Sequence, residues 1–302
     1  MADIKIVNHI QEYDNMIGAE TLHPLVNVVD FSKLPPIRNF KMHRLFGYYA
    51  IYLKGAQSAK IHYGRSIYQY KEGALVFFAP GQVAGAEDDG KYHKITGYVL
   101  MFHPDLLKGT ALSQLMKQYS YFSYDINEAL LPTEDEKAIL IDCFERIEKE
   151  LRYKDRCSIS IVIDYIKLIL DYCVRFYDRQ FSSQQVQNND ILVRFEHFLN
   201  NYFSSGYVAE KGLPTVQGCA DELCLSTNYF NDLVRKATGT SALKLIHRKM
   251  LEIAQEQLLG TNKRVNEIAN ELGFQQSQNF TNWFKKQVGC TPLNYRNTYC
   301  KL

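Results

Sequence analysis

The chain has 302 residues, 46% hydrophobic and 23% charged, which excludes a wholly disordered chain, a collagen-like fibre and a disulfide-stapled mini-protein. Its 35 Lys and Arg against 33 Asp and Glu give a net charge of +2, which by itself selects no partner. Residues 190–302 hold 13 Lys and Arg against 10 Asp and Glu, while residues 1–189 hold 22 against 23, so the last third leans mildly toward an anionic partner.

Seven cysteines (Cys143, Cys157, Cys173, Cys219, Cys224, Cys290 and Cys300) are odd in number and show no paired short spacing. They describe neither a disulfide framework nor a zinc ribbon. The N-terminus, MADIKIVNHIQEYDNMIG, lacks the basic segment and apolar core of an export signal. The longest apolar runs, such as ALVFFAP at 74–80, fall far short of the ~20 residues of a membrane helix. The chain reads as soluble and cytoplasmic, with no membrane partner.

In chain order, residues 1–17 are weakly helical, with Ile4, Val7, Ile10 and Met16 at rough helical spacing. From about 25 to 102 the texture is β: VNVVDF, LFGYYAIYLKG, AKIHYG, SIYQY, ALVFFAP and ITGYVLMF, separated by turns such as Lys54-Gly55, Pro80-Gly81 and Asp89-Gly90. Many short strands at close spacing predict a small barrel or sandwich. After His103-Pro104 the helical period takes over. In 134–151, Ile139, Leu140, Cys143, Phe144, Ile147 and Leu151 form one stripe. In about 158–179 the apolar residues run most of the way round, and a helix apolar on two sides must bury both. One side packs on 134–151; the other asks for a homodimer partner through the helices of 134–180, or for an internal place in a bundle. The stretch SSQQVQNN at 182–189 reads as a polar linker.

The strongest signal is an internal repeat in the last 90 residues. Val216 falls on Val265, Ala220 on Ala269, and Glu222-Leu223 on Glu271-Leu272. With one residue inserted in the turn, Phe230 falls on Phe280, Arg235-Lys236 on Lys285-Lys286, and Gly239 on Gly289. Each copy is a short helix, a tight turn, a longer helix and a closing Gly, a helix-turn-helix present twice. Ser226 and Ser277 suit N-caps of the longer helices. A joining helix, about 241–259, turns Leu243, Ile246, Met250, Ile253 and Leu258 to a core, with Lys244, Arg248 and Lys249 polar.

In copy one the apolar side of the second helix is Tyr229, Phe230, Leu233 and Val234, leaving Asn228, Asn231, Asp232 and Arg235 opposite. In copy two Phe280, Trp283 and Phe284 leave Gln278, Thr281, Asn282 and Lys285. Both free faces have the spacing 0, 3, 4, 7, which lines four polar side chains along one face. Asn and Gln pair bidentately with adenine in a major groove, and a Thr methyl touches thymine. Base readers are therefore Asn228, Asn231, Asp232, Gln278, Thr281 and Asn282. The phosphate contacts are Ser226, Arg235, Lys236, Arg248, Ser277, Lys285 and Lys286.

Residues 214–298 resemble the DNA-binding domain of AraC/XylS-type transcription regulators. The likeness runs through ADELCLSTNYFNDLVRKATGTS, the joining segment RKMLEIAQEQLL and above all VNEIANELGFQQSQNFTNWFKKQVGCTPLNYR. The resemblance implies a regulator that sets two second helices into successive major-groove turns of double-stranded DNA. Relatives often carry a basic residue where this chain has Asp232 or Asn282, so base preference does not transfer there. The resemblance also implies an N-terminal sensing domain, often cupin-like, and YKEGALVFFAPGQV at 70–83 is similar to the cupin strand-turn pattern. The expected class is α+β: a cupin-like β-barrel domain (1–130), a helical dimerisation segment and linker (131–187), and an all-α double helix-turn-helix domain (188–302).

A cupin-type metal enzyme with a DNA-binding tail is the competing reading. It needs clustered His with a Glu. Here His43, His62, His93 and His103 are scattered, and Ala84 stands where such relatives often have His. The expectation is no enzyme, no metal and no cofactor. Tyr48, Tyr49, Tyr52, Tyr63, Tyr68 and Tyr70 are either core residues or the lining of a small-molecule effector cavity. RNA polymerase is a further candidate partner.

Overall fold

The computed structural model describes residues 4–38, 43–55, 61–63, 66–68, 71–86, 90–125, 128–183, 185–205 and 207–299. Tyr70, Asp89 and Cys300 lie outside them. The chain divides into two compact units, Met1–Ser183 and Gln184–Leu302.

The first unit is α+β. Its strands are β1 (Ile4–Val7), β2 (Val26–Asp30), β3 (Ile37–Arg38), β4 (His43–Phe46), β5 (Tyr49–Lys54), β6 (Ile61–Tyr63), β7 (Ser66–Tyr68), β8 (Leu75–Phe78), β9 (Val83–Ala86), β10 (Tyr92–His93) and β11 (Gly97–Phe102). They form a four-stranded sheet β2-β11-β5-β8, a five-stranded sheet β1-β4-β9-β6-β7 and the pair β10-β3. Among the described residues no sheet closes into the expected cupin-like barrel. Closure needs the two edge strands to pair with each other, and here the β8 edge is occupied otherwise. Leu75 exchanges backbone bonds of 2.8 and 3.2 Å with Leu130, outside any strand.

The four-stranded sheet is buried on both faces, because its strands are apolar at successive positions. Ala50 and Tyr52 share a core with Val76, Phe78, Val99 and Met101. The alternate positions meet aromatic and helical residues: Phe77 lies 6.1 Å from Tyr177, and Tyr98 5.8 Å from Phe144. The expectation of a helical N-terminus fails at Ile4–Val7. Ile-Lys-Ile-Val is rich in β-branched residues and pairs parallel with β4, and helix α1 (Ile10–Ile17) starts only afterwards.

Helix α1 is tied to β2 through a buried carboxyl. Asp14 Oδ2 accepts from Thr21 Oγ1 at 2.7 Å and from Asn27 Nδ2 at 2.8 Å. Burial nevertheless pushes this carboxyl up to about 6, outweighing the two hydrogen bonds. An acid raised in the folded state holds its proton longer there than in the unfolded chain, whose Asp titrates near ~3.9. Stability of the first unit therefore falls as pH rises from about 4 to 6, by up to about 3 kcal/mol. In urea unfolding at a series of pH values, Asp14→Asn is expected to flatten this slope; an unchanged slope would assign it to another group.

Short helices α2 (Pro104–Leu107) and α3 (Ala111–Leu115) lead to α4 (Glu134–Tyr153) and α5 (Ser158–Ser183). Thr133 and Glu136 cap α4 reciprocally, at 3.3 and 2.8 Å. Arg179 of α5 grips Glu136 at 3.0 and 2.8 Å and so fixes the pair. The predicted α4 stripe is buried at Leu140, Cys143, Phe144, Ile147 and Leu151, while Ile139 is exposed. On α5, Val162, Ile166, Ile169, Leu170, Cys173 and Phe176 are buried, and Ile161 and Leu168 are about 40% exposed on the side reading. The 182–189 stretch is no linker in form: α5 runs to Ser183 and helix α6 (Gln185–Ser204) starts at Gln185. It contains neither Gly nor Pro, so nothing in it stops a helix.

The second unit is all-α: α6, α7 (Tyr207–Lys211), α8 (Val216–Glu222), α9 (Thr227–Thr238), α10 (Ala242–Gly260), α11 (Val265–Glu271), α12 (Ser277–Val288) and α13 (Pro292–Tyr299). It holds two separate cores. Phe230, Val234, Cys219, Ala220 and Leu223 pack with Phe195 and Leu199 of α6 and with Ala242 and Ile246. Phe280, Phe284, Ile268, Ala269 and Leu272 pack with Met250, Ala254 and Leu258. One helix, α10, thus enters copy one by its first turns and copy two by the rest. Leu243, expected inside, is exposed; Ala242 and Ala254 take the inward positions beside Ile246, Met250 and Leu258.

Candidate nucleic-acid interface

The two helix-turn-helix copies fold by the same backbone scheme. After α8, Cys224 N bonds to Asp221 O at 3.1 Å and Leu225 N to Ala220 O at 2.9 Å. After α11, Gly273 N bonds to Asn270 O at 3.0 Å and Phe274 N to Ala269 O at 2.9 Å. These bonds close each first helix and aim the chain into the second. The residue at the bend is left-handed in both, Cys224 at φ 57° and Gly273 at φ 79°. A side chain there costs about 1–2 kcal/mol, and Gly gives part of that back as unfolded-state entropy. Cys224→Gly is expected to stabilise the second unit by about 0.5–1 kcal/mol in chemical denaturation. Gly273→Ala must do the reverse, since its Cβ would meet Val208 Cγ1 of α7 at 2.7 Å. Equal effects at the two sites would refute the shared turn geometry.

Ser226 caps α9, its hydroxyl accepting from Tyr229 N at 3.3 Å. Ser277 does not cap α12; Gln276 holds that position without a side-chain cap, and Ser277 is the first helical residue. Gly239 and Gly289 end the two helices at φ 71° and 88°, as expected.

On α9 the buried residues are Tyr229, Phe230, Leu233 and Val234. Asn228, Arg235 and Lys236 are exposed, and Asn231 and Asp232 are half-buried. On α12 Phe280 and Phe284 are buried, with Trp283 half-buried against Phe274 at 5.5 Å. Gln278, Asn282, Lys285 and Lys286 are exposed, and Thr281 is half-buried. The equivalent faces therefore carry amides at the helix starts and cations at the ends. Gln278 Nε2 reaches Asn282 Oδ1 at 3.5 Å, which aligns two amides along one side. The Thr281 hydroxyl is engaged by Ser277 O at 3.0 Å, so its methyl is what it offers a partner.

Two residues stand apart from the sequence reading. Asn231 Oδ1 accepts from Ala242 N at 3.2 Å, fastening α9 to the first turn of α10; this is a positioning bond across a turn that helical spacing alone does not reveal. Arg248 lines a cleft of about 270 Å³ between α6 and α10, beside Glu196 and Glu252. Conversely, Asn279 is exposed where copy one buries Tyr229, a difference the repeat alignment contains but helical periodicity does not flag.

Comparison with known proteins points to the same segment. A family model described as a helix-turn-helix domain matches residues 219–298. The HTH-type transcriptional regulator YobQ of Bacillus subtilis is 37% identical over 70 residues, 23% of this chain and 29% of that one. The raffinose operon transcriptional regulatory protein RafR of Pediococcus pentosaceus is 27% identical over 125 residues, 41% of this chain and 43% of that one. The transposon Tn10 TetD protein of Escherichia coli is 29% identical over 150 residues, 50% of this chain and 91% of that one. The match spans less than half the length of the first two relatives. Among the described residues no helix is long and apolar enough to cross a membrane.

Proposed function

From the premise that residues 219–298 form an AraC-type helix-turn-helix domain, we propose that the protein is a sequence-specific transcription regulator, not an enzyme, reading two successive major grooves of double-stranded DNA with α9 and α12. The observation that carries this reading is the pairing of two equivalent polar faces on the ends of one helix. Helix α10 has 19 residues, so it is about 28 Å long, close to the ~34 Å of one DNA turn. Asn228, Asp232, Gln278, Thr281 and Asn282 face bases, and Arg235, Lys236, Lys285 and Lys286 face phosphates. Ser226 and Ser277 lie at the phosphate-facing helix starts. Asn231 acts by holding α9 on α10, and Arg248 lies at the margin.

The regulator is cytoplasmic and works as a homodimer through the α4–α5 pair, whose exposed Ile139, Ile161 and Leu168 are the apolar side chains a second copy covers. A small-molecule effector held by the first unit controls it, and RNA polymerase is the partner through which it acts on transcription. The experiment is selection of bound fragments from random duplex DNA by the full chain at physiological salt. Two half-elements about one helical turn apart support two-groove reading, and a repeat of that motif supports the dimer. A single half-element would leave one helix idle, and no enrichment would remove the regulator reading.

A further inference from the structure

The interior of the first unit holds polar atoms that its own fold leaves unanswered. Tyr13 of α1, Tyr48 of the β4–β5 bend and Tyr52 of β5 are buried in one cluster with Phe46 and Phe78. The Tyr13 and Tyr52 hydroxyls bond to each other. The Tyr48 hydroxyl has no partner, and neither has Arg44 Nε nor Asp14 Oδ1. Arg44 stands two residues from Phe46 on β4, on the same face, and its charge acts on all three tyrosine hydroxyls. The Asp14 charge acts on Tyr13 and Tyr48. Every buried side-chain polar atom left unpaired among the described residues of this unit belongs to this cluster. Such atoms are rare in folded proteins, and their concentration in one place calls for a reason.

Together the three orphans outline what would satisfy them. Arg44 Nε and the Tyr48 hydroxyl are donors that converge on an anionic oxygen pair. Asp14 Oδ1 is an acceptor that takes a hydroxyl. A phosphate dianion would face the Asp14 carboxyl, and a neutral sugar would leave the Arg44 charge unanswered. We propose that this interior binds a small hydroxylated carboxylate, a hydroxy acid or sugar acid, with Arg44 and Tyr48 on its carboxylate and Asp14 on a hydroxyl. The site rests on the effector-controlled reading given above only in making this ligand the effector.

The test is calorimetric titration of the full chain at pH 7 with D-gluconate and D-glucuronate, alongside hexanoate, D-glucose and inorganic phosphate. Saturable binding of at least one sugar acid is expected, with glucose and phosphate at least tenfold weaker. Arg44→Gln and Tyr48→Phe should each weaken it tenfold or more, and Asp14→Asn should narrow the gap between the sugar acid and hexanoate. Circular dichroism checks the fold of each variant; should Tyr48→Phe unfold, Arg44→Gln and Asp14→Asn carry the test. No binding of either sugar acid, or binding indifferent to Arg44→Gln, overturns the site. Phosphate or glucose binding as tightly overturns the ligand class. Sugar-acid binding that leaves retention of DNA unchanged leaves the site standing and removes effector control, so the two failures are told apart.

Discussion

Phe280→Ala is expected to cost about 3–5 kcal/mol and to unfold copy two ahead of copy one. Phe280 is fully buried, with ring neighbours Phe274 at 5.4 Å, Phe284 at 5.8 Å and Trp283 at 6.1 Å. Truncation leaves a cavity that three aromatic rings on two helices and a turn cannot jointly fill. The core of copy one shares no residue with it, the two being linked through α10. Trp283 is the chain's single tryptophan, so its fluorescence in urea reports copy two alone. An early fluorescence transition, with a later one in far-ultraviolet dichroism, is the expected record. On DNA the variant should lose one half-element and keep the other. A loss under 1 kcal/mol with coincident transitions would mean that the two cores unfold as one.

Gln278→Ala is expected to weaken specific DNA binding by about 1–3 kcal/mol, or roughly 5- to 150-fold, and to relax selection at one base position. The side chain is exposed at the start of α12 and makes only a 3.5 Å contact within the protein, so its removal leaves the fold intact. Lys285→Ala makes the contrast. It should weaken binding to all sequences alike and lower the salt slope by about 0.9. Asn231→Ala should behave as neither. With Ala242 N left unanswered, copy one is expected to lose about 1 kcal/mol of stability, and binding to fall equally for every sequence. Fluorescence titrations against the selected site, single-base variants of it and unrelated duplex separate the three patterns. A Gln278→Ala protein that discriminates as the parent does would remove α12 from base readout.

The repeat was legible because each of its parts has a local cause. Phe230 and Phe280, Ala220 and Ala269, Gly239 and Gly289 recur at a constant offset, and helical spacing alone assigns their inward and outward faces. Even the extra residue in the second turn shows in the alignment. What failed there also has a local explanation: Ser277 and Gln276 compete for one cap position a residue apart. In α10 the expectation placed Leu243 inside, yet two cores lie on this helix, and Ala242 and Ala254 admit their close approach.

The amino-acid sequence alone determined the helix-turn-helix duplication, the helical stripes of α4 and α5, and the β texture between about 25 and 102, since each depends on neighbours within a few residues. Only the tertiary structure decided the rest. Whether Ile4–Val7 is strand or helix depends on β4 beside it, nearly forty residues away in the chain. Whether the strands close into a barrel depends on what meets the β8 edge, and Leu130 meets it. The bond from Ala242 to Asn231, and the gathering of Arg44, Tyr48 and Asp14 from three segments, arise the same way. Pairing and packing between distant segments are settled by which polar groups and edges each finds in space, and no local period encodes that choice.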